Sequence, residues 1–339
     1  MIAEKNRLRI LHITAMYPSN DSPALGSYVK SQVNSLKNFV DNELLIIQGL
    51  KGFVPYFLAI PEILKKIYSA DFDIIHIHYG NLSSLVKLLY WGKKPIVTSY
   101  CGDDLLGTMI FPRKYSVKSL LFKRLNTFLV RKDACSIVKS KVLADKIPNA
   151  KRIEIVPNGV DIIQFHPDDK IIARKNIGLV DSEKTTILFP ADPEIPCKNF
   201  KLFEKVLSYF NPNKIEVLTF AGNKVRFEDI PDYYNAADIV VFTSLSEGSP
   251  NVIKEAMSCN CKIYSTNCGD VAWLLKDIAG SKVLSYNVSE WKEVLSDFFK
   301  NENLIISDSR IRLMEKKIDS EYIAKRIVDI YNSLNDPQK

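Results

Sequence analysis

The chain has 339 residues, more than one hydrophobic core usually serves, so two domains are expected. Hydrophobic residues make up 46% and charged residues 25%, which excludes wholesale disorder. A net charge of +7 calls for an anionic partner, with nucleic acid, phosphorylated small molecules and an anionic membrane surface all open on charge alone.

In chain order, the opening stretch MIAEKNRLRILHIT holds an apolar run too short for a signal peptide. Its segment LRILHIT reads as a buried strand, followed by the loop YPSNDSPALGSY with Gly26 and a helix over 28–37. ELLIIQ, DIIHIH, KPIVTSY, ACSIVKS and RIEIVPNG continue as strands, with a helix over 61–67 and the loop YCGDDLLG after KPIVTSY. After VPNGVDIIQFHPDD the rhythm restarts with TTILFPA, KIEVLTFAG, DIVVFTS, CKIYST and SKVLSY. Helices over 200–209, 250–258, 289–299 and 321–334 complete the pattern.

Continuous apolar strands separated by helices indicate parallel sheets covered on both faces. The expected fold is therefore α/β, with two doubly wound, Rossmann-like domains facing a central cleft. A rise in polarity between Phe165 and Asp181 sets the expected domains at 1–165 and 166–320, with 321–339 as a terminal helix that can pack on either. Ligands in open parallel sheets bind at the carboxyl ends of strands, so the strand-to-helix loops are where chemistry is sought.

SLSEGSPNVIKEAM, residues 244–257, lies in such a loop. Ser249 as N-cap and Pro250 as first helical residue would leave the amides of Asn251 and Val252 free to meet phosphate. Glu247 and Glu255 would lie about 12 Å apart along the axis, suiting hydroxyl-bearing rings on either side of a diphosphate. The alternative is an acidic residue favouring the helix dipole and a second glutamate on a wet face.

Here the chain resembles family-4 retaining glycosyltransferases of the GT-B architecture. The match rests on Glu247–Glu255 with Gly248, Pro250 and the EAM of Glu255–Met257, and on IVPNGVDIIQF, DIIHIHYG and YYNAADIVVFTS. The resemblance implies that Glu255 holds the donor ribose, while Glu247 and the backbone of Gly248, Ser249, Pro250 and Asn251 meet the donor sugar and diphosphate. It implies that Lys198 neutralises the diphosphate and that Gly26 lets acceptor and phosphate approach the backbone. Glu247, Lys198 and Asp103 are the implied catalytic residues. Cys101, Gly102, Asp104 and His78 join Gly26 as acceptor or phosphate-loop candidates. Taken alone, Lys198 also reads as a solvated lysine, Gly26 as a turn glycine, Asp103 and Asp104 as turn and cap residues, and His78 as a packed histidine.

Two departures from the family stand out. Asp192 lies about where the family has arginine, with Lys224 or Arg226 as substitutes, and Cys101 replaces the histidine of a His-Gly-x-Asp loop. Asp270 reads as a helix N-cap whose preceding loop borders the donor pocket. The six cysteines and four histidines make no zinc pattern, so no metal and no cofactor are expected, only a UDP- or GDP-linked sugar as co-substrate.

FPRKYSVKSLLFKRLNTFLVRK, residues 111–132, is basic, with Val117, Leu121, Leu125 and Phe128 at helical spacing. One reading rests it on anionic lipid; the other turns the apolar stripe to the sheet. No run of about 18 apolar residues exists, so no transmembrane helix is expected and the location is cytoplasmic, with peripheral attachment to the inner face of the plasma membrane open. The expected function is sugar transfer to a glycan or lipid-linked acceptor in cell-surface polysaccharide synthesis. A sugar-nucleotide epimerase or hydrolase, and a weakened sugar-nucleotide-binding partner protein, are the rivals. Nucleic acid is excluded because the basic residues do not gather with aromatics.

Overall fold

The computed structural model describes residues 7–19, 25–47, 53–69, 71–111, 114–179, 183–221, 225–301 and 306–335. The chain forms two units, one of residues 1–108, 115–159 and 320–339, the other of 109–114 and 160–319.

The first unit begins with β1 (Arg9–Thr14), β2 (Asp41–Ile46), β3 (Ile74–His78) and β4 (Ile96–Tyr100); the short two-stranded pair that follows, β5 (Met109–Phe111) and β6 (Lys114–Tyr115), falls in the second unit up to Lys114. β7 (Cys135–Val138) and β8 (Ile153–Ile155) then complete a parallel sheet in the order β2-β1-β3-β4-β7-β8. β3, β4 and β7 are buried along their whole length, as strands covered on both faces must be. On one face Ile10, Ile74, Val97 and Ile137 pack with Leu36 of the helix Ser27–Leu36 and with Ile323, Ile327 and Tyr331 of the helix Ser320–Asn335. On the other, Leu11, Ile75 and Ile77 pack with Ile63 and Ile67 of the helix Phe53–Ile67. That helix is longer than the expected 61–67, because it continues through Pro61. Its apolar face toward the sheet outweighs the backbone hydrogen bond that proline removes.

The second unit is a five-stranded parallel sheet of β9 (Thr185–Phe189), β10 (Ile215–Thr219), β11 (Ile239–Phe242), β12 (Ile263–Thr266) and β13 (Lys282–Leu284). Its order is β10-β9-β11-β12-β13. Val240, Phe242 and Leu188 pack on one side with Ile253, Ala256 and Met257 of the helix Asn251–Ser258. Ile187, Phe189 and Val241 pack on the other with Phe203 and Trp291.

The chain passes between units at 159/160, a few residues before the expected 165/166, because Val160 and Phe165 are buried in the second core. The last helix belongs to the first unit, where Ile323, Ala324 and Tyr331 are core residues. In each sheet the strand order reverses beside the first strand, between β1 and β3 and between β9 and β11. Loops leaving these strands open the crevice in which doubly wound sheets bind ligands.

Candidate functional site

In the second unit the loops after β9 and β11 flank the switch point, and they carry Lys198 and Glu247. Lys198 Nζ lies 2.6 Å from Glu247 Oε1, and both side chains are mostly buried. Ser244 Oγ donates to the same carboxylate oxygen at 2.9 Å. The loops are stitched together by Leu245 N donating to Cys197 O at 2.8 Å and by Thr243 Oγ1 donating to the carbonyls of Lys198 and Asn199. Burial works against the Lys198 ammonium, but Glu247 outweighs it, and the lysine pKa is raised. The Lys198 ammonium also lies 5.5 Å from the centre of the Phe242 ring. This is a fixed cation at a strand end, not a solvated lysine.

The helix beyond begins at Asn251, with Pro250 as its N-cap rather than Ser249. Pro250 keeps an extended ψ of 121°, and the buried Ser249 hydroxyl is instead 3.2 Å from the Lys254 ammonium. Gly248, Ser249 and Pro250 are buried, and Asn251 is half-buried. Gly269 is a residue the sequence reading passed over. Its φ is +59°, and a Cβ there would lie 2.9 Å from Gly248 O and 3.0 Å from Glu247 O, so the loop before Asp270 presses on the Glu247 turn. Asp270 is the N-cap residue of the helix Val271–Leu274 but makes no side-chain cap bond. Burial raises its pKa, opposed by Lys254 and by a hydrogen bond with Ser249.

Glu255 sits one turn along the helix Asn251–Ser258, where Tyr234 donates to its Oε2 at 2.9 Å. Burial raises its pKa to about 7, against the opposing pull of Tyr234 and Lys254. A carboxylate fixed by a phenol and balanced near neutrality is an acceptor for sugar hydroxyls, unlike a glutamate on a wet helix face. Of the charges considered in place of the family's arginine, Arg226 is an exposed side chain bound in two-pronged fashion to Asp229, and Lys224 lies outside the described residues. Asp192 accepts from Glu194 N at 3.0 Å in its turn.

In the first unit Gly26 ends the loop after β1 with φ +65°, and a Cβ there would lie 2.3 Å from Met16 O. Only glycine fits this approach. Asp104, read from the sequence as an acceptor contact or a turn and cap residue, is fully buried. It accepts from Gly80 N and Gly102 N at 2.9 Å and from Cys101 N at 3.1 Å, tying the loops after β3 and β4 together. Asp103 and Cys101 are half-buried beside it and Gly102 is buried. Burial raises the Cys101 thiol to about 12, despite the nearby Lys139, so it is neutral at physiological pH.

His78, read from the sequence as an acceptor-site candidate or a packed histidine, is the last residue of β3 and is packed. It is buried in the sheet, stacked on His76 at 4.0 Å between ring centroids, with its Nε2 2.8 Å from His12 Nδ1. Asn42 Nδ2 donates to Val33 O, so its Oδ1 faces His12 Nε2 at 2.7 Å and that nitrogen carries the proton. His12 Nδ1 is then the acceptor and His78 Nε2 the donor. Three of the four histidines thus converge, their ligand atoms within 4.8 Å of one another. The pairing of the chain explains why: parallel register sets His12 beside His76, and residues two apart on a strand share a face. His76 is held by Tyr331 and Ser99, which makes the cluster a hydrogen-bonded network inside the fold. Burial lowers the pKa of all three, that of His12 to about 4.

Helix Val117–Leu129 buries Asn126 and Leu129, so the stripe of Val117, Leu121, Leu125 and Phe128 is not what it buries. Asn126 Nδ2 donates to Asp104 O at 2.9 Å, fixing the helix on the loops. Val117, Leu121 and Phe128 are 75%, 60% and 62% exposed, beside Lys114, Arg124 and Arg131. Among the described residues, no helix is long and apolar enough to cross a membrane.

Two family models match the chain: Glycosyltransferase Family 4 over residues 21–164, and Glycosyl transferases group 1 over residues 201–301. TuaC of Bacillus subtilis strain 168, assigned as a glycosyltransferase of teichuronic acid biosynthesis, is 23% identical over 79% of this chain and 83% of its own. Sucrose-phosphate synthase from Thermosynechococcus elongatus superposes with a TM-score of 0.72 at 17% identity, over 97% of this chain and 99% of that one. Anabaena HepE, solved in complex with UDP and glucose, gives 0.72 at 16% identity over 96% of this chain and 100% of that one.

Proposed function

We propose that this chain, a glycosyltransferase of the GT-B type, is a retaining member of family 4 that moves a sugar from a UDP- or GDP-linked donor to an acceptor hydroxyl. The acceptor is a glycan or lipid-linked glycan of cell-surface polysaccharide synthesis, and the reaction takes place on the cytoplasmic side of a membrane. One observation carries the reading: a lysine–glutamate pair bridges the two switch-point loops of the second sheet, just ahead of a helix whose first turn leads to a glutamate positioned by tyrosine.

In this reading Glu255 accepts the ribose hydroxyls, and the amides at the start of the helix Asn251–Ser258 meet the diphosphate. Lys198 leaves its bond with Glu247 in part to neutralise the departing diphosphate, and Glu247 turns to the donor sugar. The leaving diphosphate takes the acceptor's proton, so the scheme needs neither a protein base nor a metal. TuaC, through its assignment to teichuronic acid biosynthesis, and HepE, through its bound UDP, support the acceptor and donor classes. The basic, partly apolar surface of the helix Val117–Leu129 supports attachment to anionic lipid.

The test is nucleotide release from UDP-glucose and GDP-mannose, with and without a polysaccharide or lipid-linked acceptor. Release that depends on acceptor supports transfer. Equal release without acceptor replaces the reading with a hydrolase or epimerase, and binding without release replaces it with a binding partner.

A further inference from the structure

Among the described residues, buried lysines are paired, with one exception. Lys87 is fully buried and meets Asp133 at 2.6 Å, Lys198 meets Glu247, and Lys254 meets Ser249. Lys139 is 1% exposed, and its Nζ has no hydrogen-bond partner among the described residues. An ammonium taken out of water without a counter-ion is strongly unfavourable. A fold keeps one there either in neutral form or for an anion that arrives from outside.

Its place argues for the second. Lys139 is the first residue after β7, and Cys101 the first after β4. Tyr100 pairs with Val138, so parallel register sets Lys139 beside Cys101 at the carboxyl end of the sheet, where ligands of such sheets bind. The same register puts Lys139 on one face with Ile137, Ser99 and His78. Burial lowers its pKa, opposed through space by Cys101 and Asp104. Asp104 makes no hydrogen bond to it, and its oxygens accept from the backbone amides of Gly80, Gly102 and Cys101. Cys101 is a neutral thiol, and His76 and His78 are held uncharged by burial. Half-buried Cys101 and Asp103 leave the strand end within reach of a ligand.

We infer that Lys139 is the cation of an anion subsite in the first unit, taking an oxyanion, carboxylate or phosphate, carried by the acceptor. The inference rests on the reading of the first unit as the acceptor domain. The neutral thiol and neutral imidazoles around the ammonium then do not compete with the ligand for it. An acceptor with an acidic sugar or a sugar phosphate at the accepting end is selected over a neutral one.

Calorimetric titration with glucuronate, glucose 6-phosphate and methyl glucoside tests this on the full chain. Wild type should bind one or both anionic sugars about ten- to a hundredfold more tightly than methyl glucoside, the worth of a charge-assisted hydrogen bond. The two anionic arms separate a carboxylate from a phosphate. Lys139→Met, of similar length and apolar, should abolish the preference without lowering thermal stability. Equal binding of all three sugars by wild type, binding of none, or an unchanged preference in Lys139→Met overturns the inference. The wild-type comparison stands without any variant, and Lys139→Gln replaces the methionine variant if that one does not fold. UDP binding measured on the same samples separates the two ideas. UDP bound normally with no anion preference sinks this subsite alone, whereas an anion preference without nucleotide binding sinks the transferase reading.

Discussion

Lys198 Nζ and Glu247 Oε1 are 2.6 Å apart, and they join loops from two strands that are neighbours in the sheet but distant in sequence. If this pair handles the donor, Lys198→Ala should lower kcat/KM by about a hundred- to a thousandfold, the usual loss for one preorganised charge. Glu247→Ala should be similar. The double variant should lose less than the two single losses combined, because each side chain positions the other before the donor arrives. Fully additive losses would show that neither positions the other.

Glu255 predicts a pH dependence of nucleotide affinity. Its pKa is raised to about 7, and ribose hydroxyls need the ionised form as acceptor. UDP or GDP affinity should therefore hold above pH 7 and fall toward pH 5.5. Glu255→Ala should weaken binding by about 1–3 kcal/mol and flatten the curve. Stability runs the other way. A folded pKa above the ordinary 4.5 means that stability is fully present below pH 4.5 and is lost as pH rises through 7, by roughly 3 kcal/mol. Glu255→Gln should therefore raise the unfolding free energy at pH 8, and an unchanged value there rules out the buried charge.

Gly26→Ala tests the loop after β1. A methyl group would lie 2.3 Å from a backbone carbonyl at a φ of +65°, so the loop must shift. The expected loss is about 1–3 kcal/mol of stability, seen in urea unfolding, with sugar transfer reduced further than stability alone explains. Stability loss with full activity of the remaining folded fraction would make Gly26 a turn glycine only.

How much of this was legible in the sequence depends on whether a signal is local. The strands of both sheets were legible because most are short apolar runs, and the central β3, β4, β7, β11 and β12 are buried along their whole length. The helix that carries Glu255 was legible within one residue of its start. The histidine network was not, since His12 lies far from His76 along the chain and only register joins them. Asp104 looked like a turn residue because burial and three backbone donors leave no mark in composition. Lys139 was invisible for the same reason: a lysine after a strand reads as solvated until its surroundings are known.

The buried histidines give a stability test of opposite sign to that of Glu255. His12 has its pKa lowered to about 4 by burial, with His76 and His78 lowered in the same direction. A depressed histidine supplies stability above its ordinary 6.5 that drains away as pH falls through the folded value. In the Glu255→Gln background, which removes the opposing slope, unfolding free energy should fall between pH 7.5 and 5 by about 2 kcal/mol from His12, with His76 and His78 adding to the fall in the same direction. A flat response would mean that the rings are already charged or hydrated.

The surface of the helix Val117–Leu129 makes the last prediction. Val117, Leu121 and Phe128 lie exposed among basic side chains, and burying a leucine and a phenylalanine in lipid is worth about 1.5–3 kcal/mol each. Cosedimentation with phosphatidylglycerol vesicles should therefore be strong at low salt and weaker at high salt, with little binding to phosphatidylcholine. Leu121→Glu combined with Phe128→Glu should reduce binding at least tenfold without changing transfer to a water-soluble acceptor. The helix is held on its own unit through Asn126 and Leu129, so these substitutions leave its seat intact. Binding that ignores lipid charge, or survives the double substitution, would place the membrane contact elsewhere on the chain.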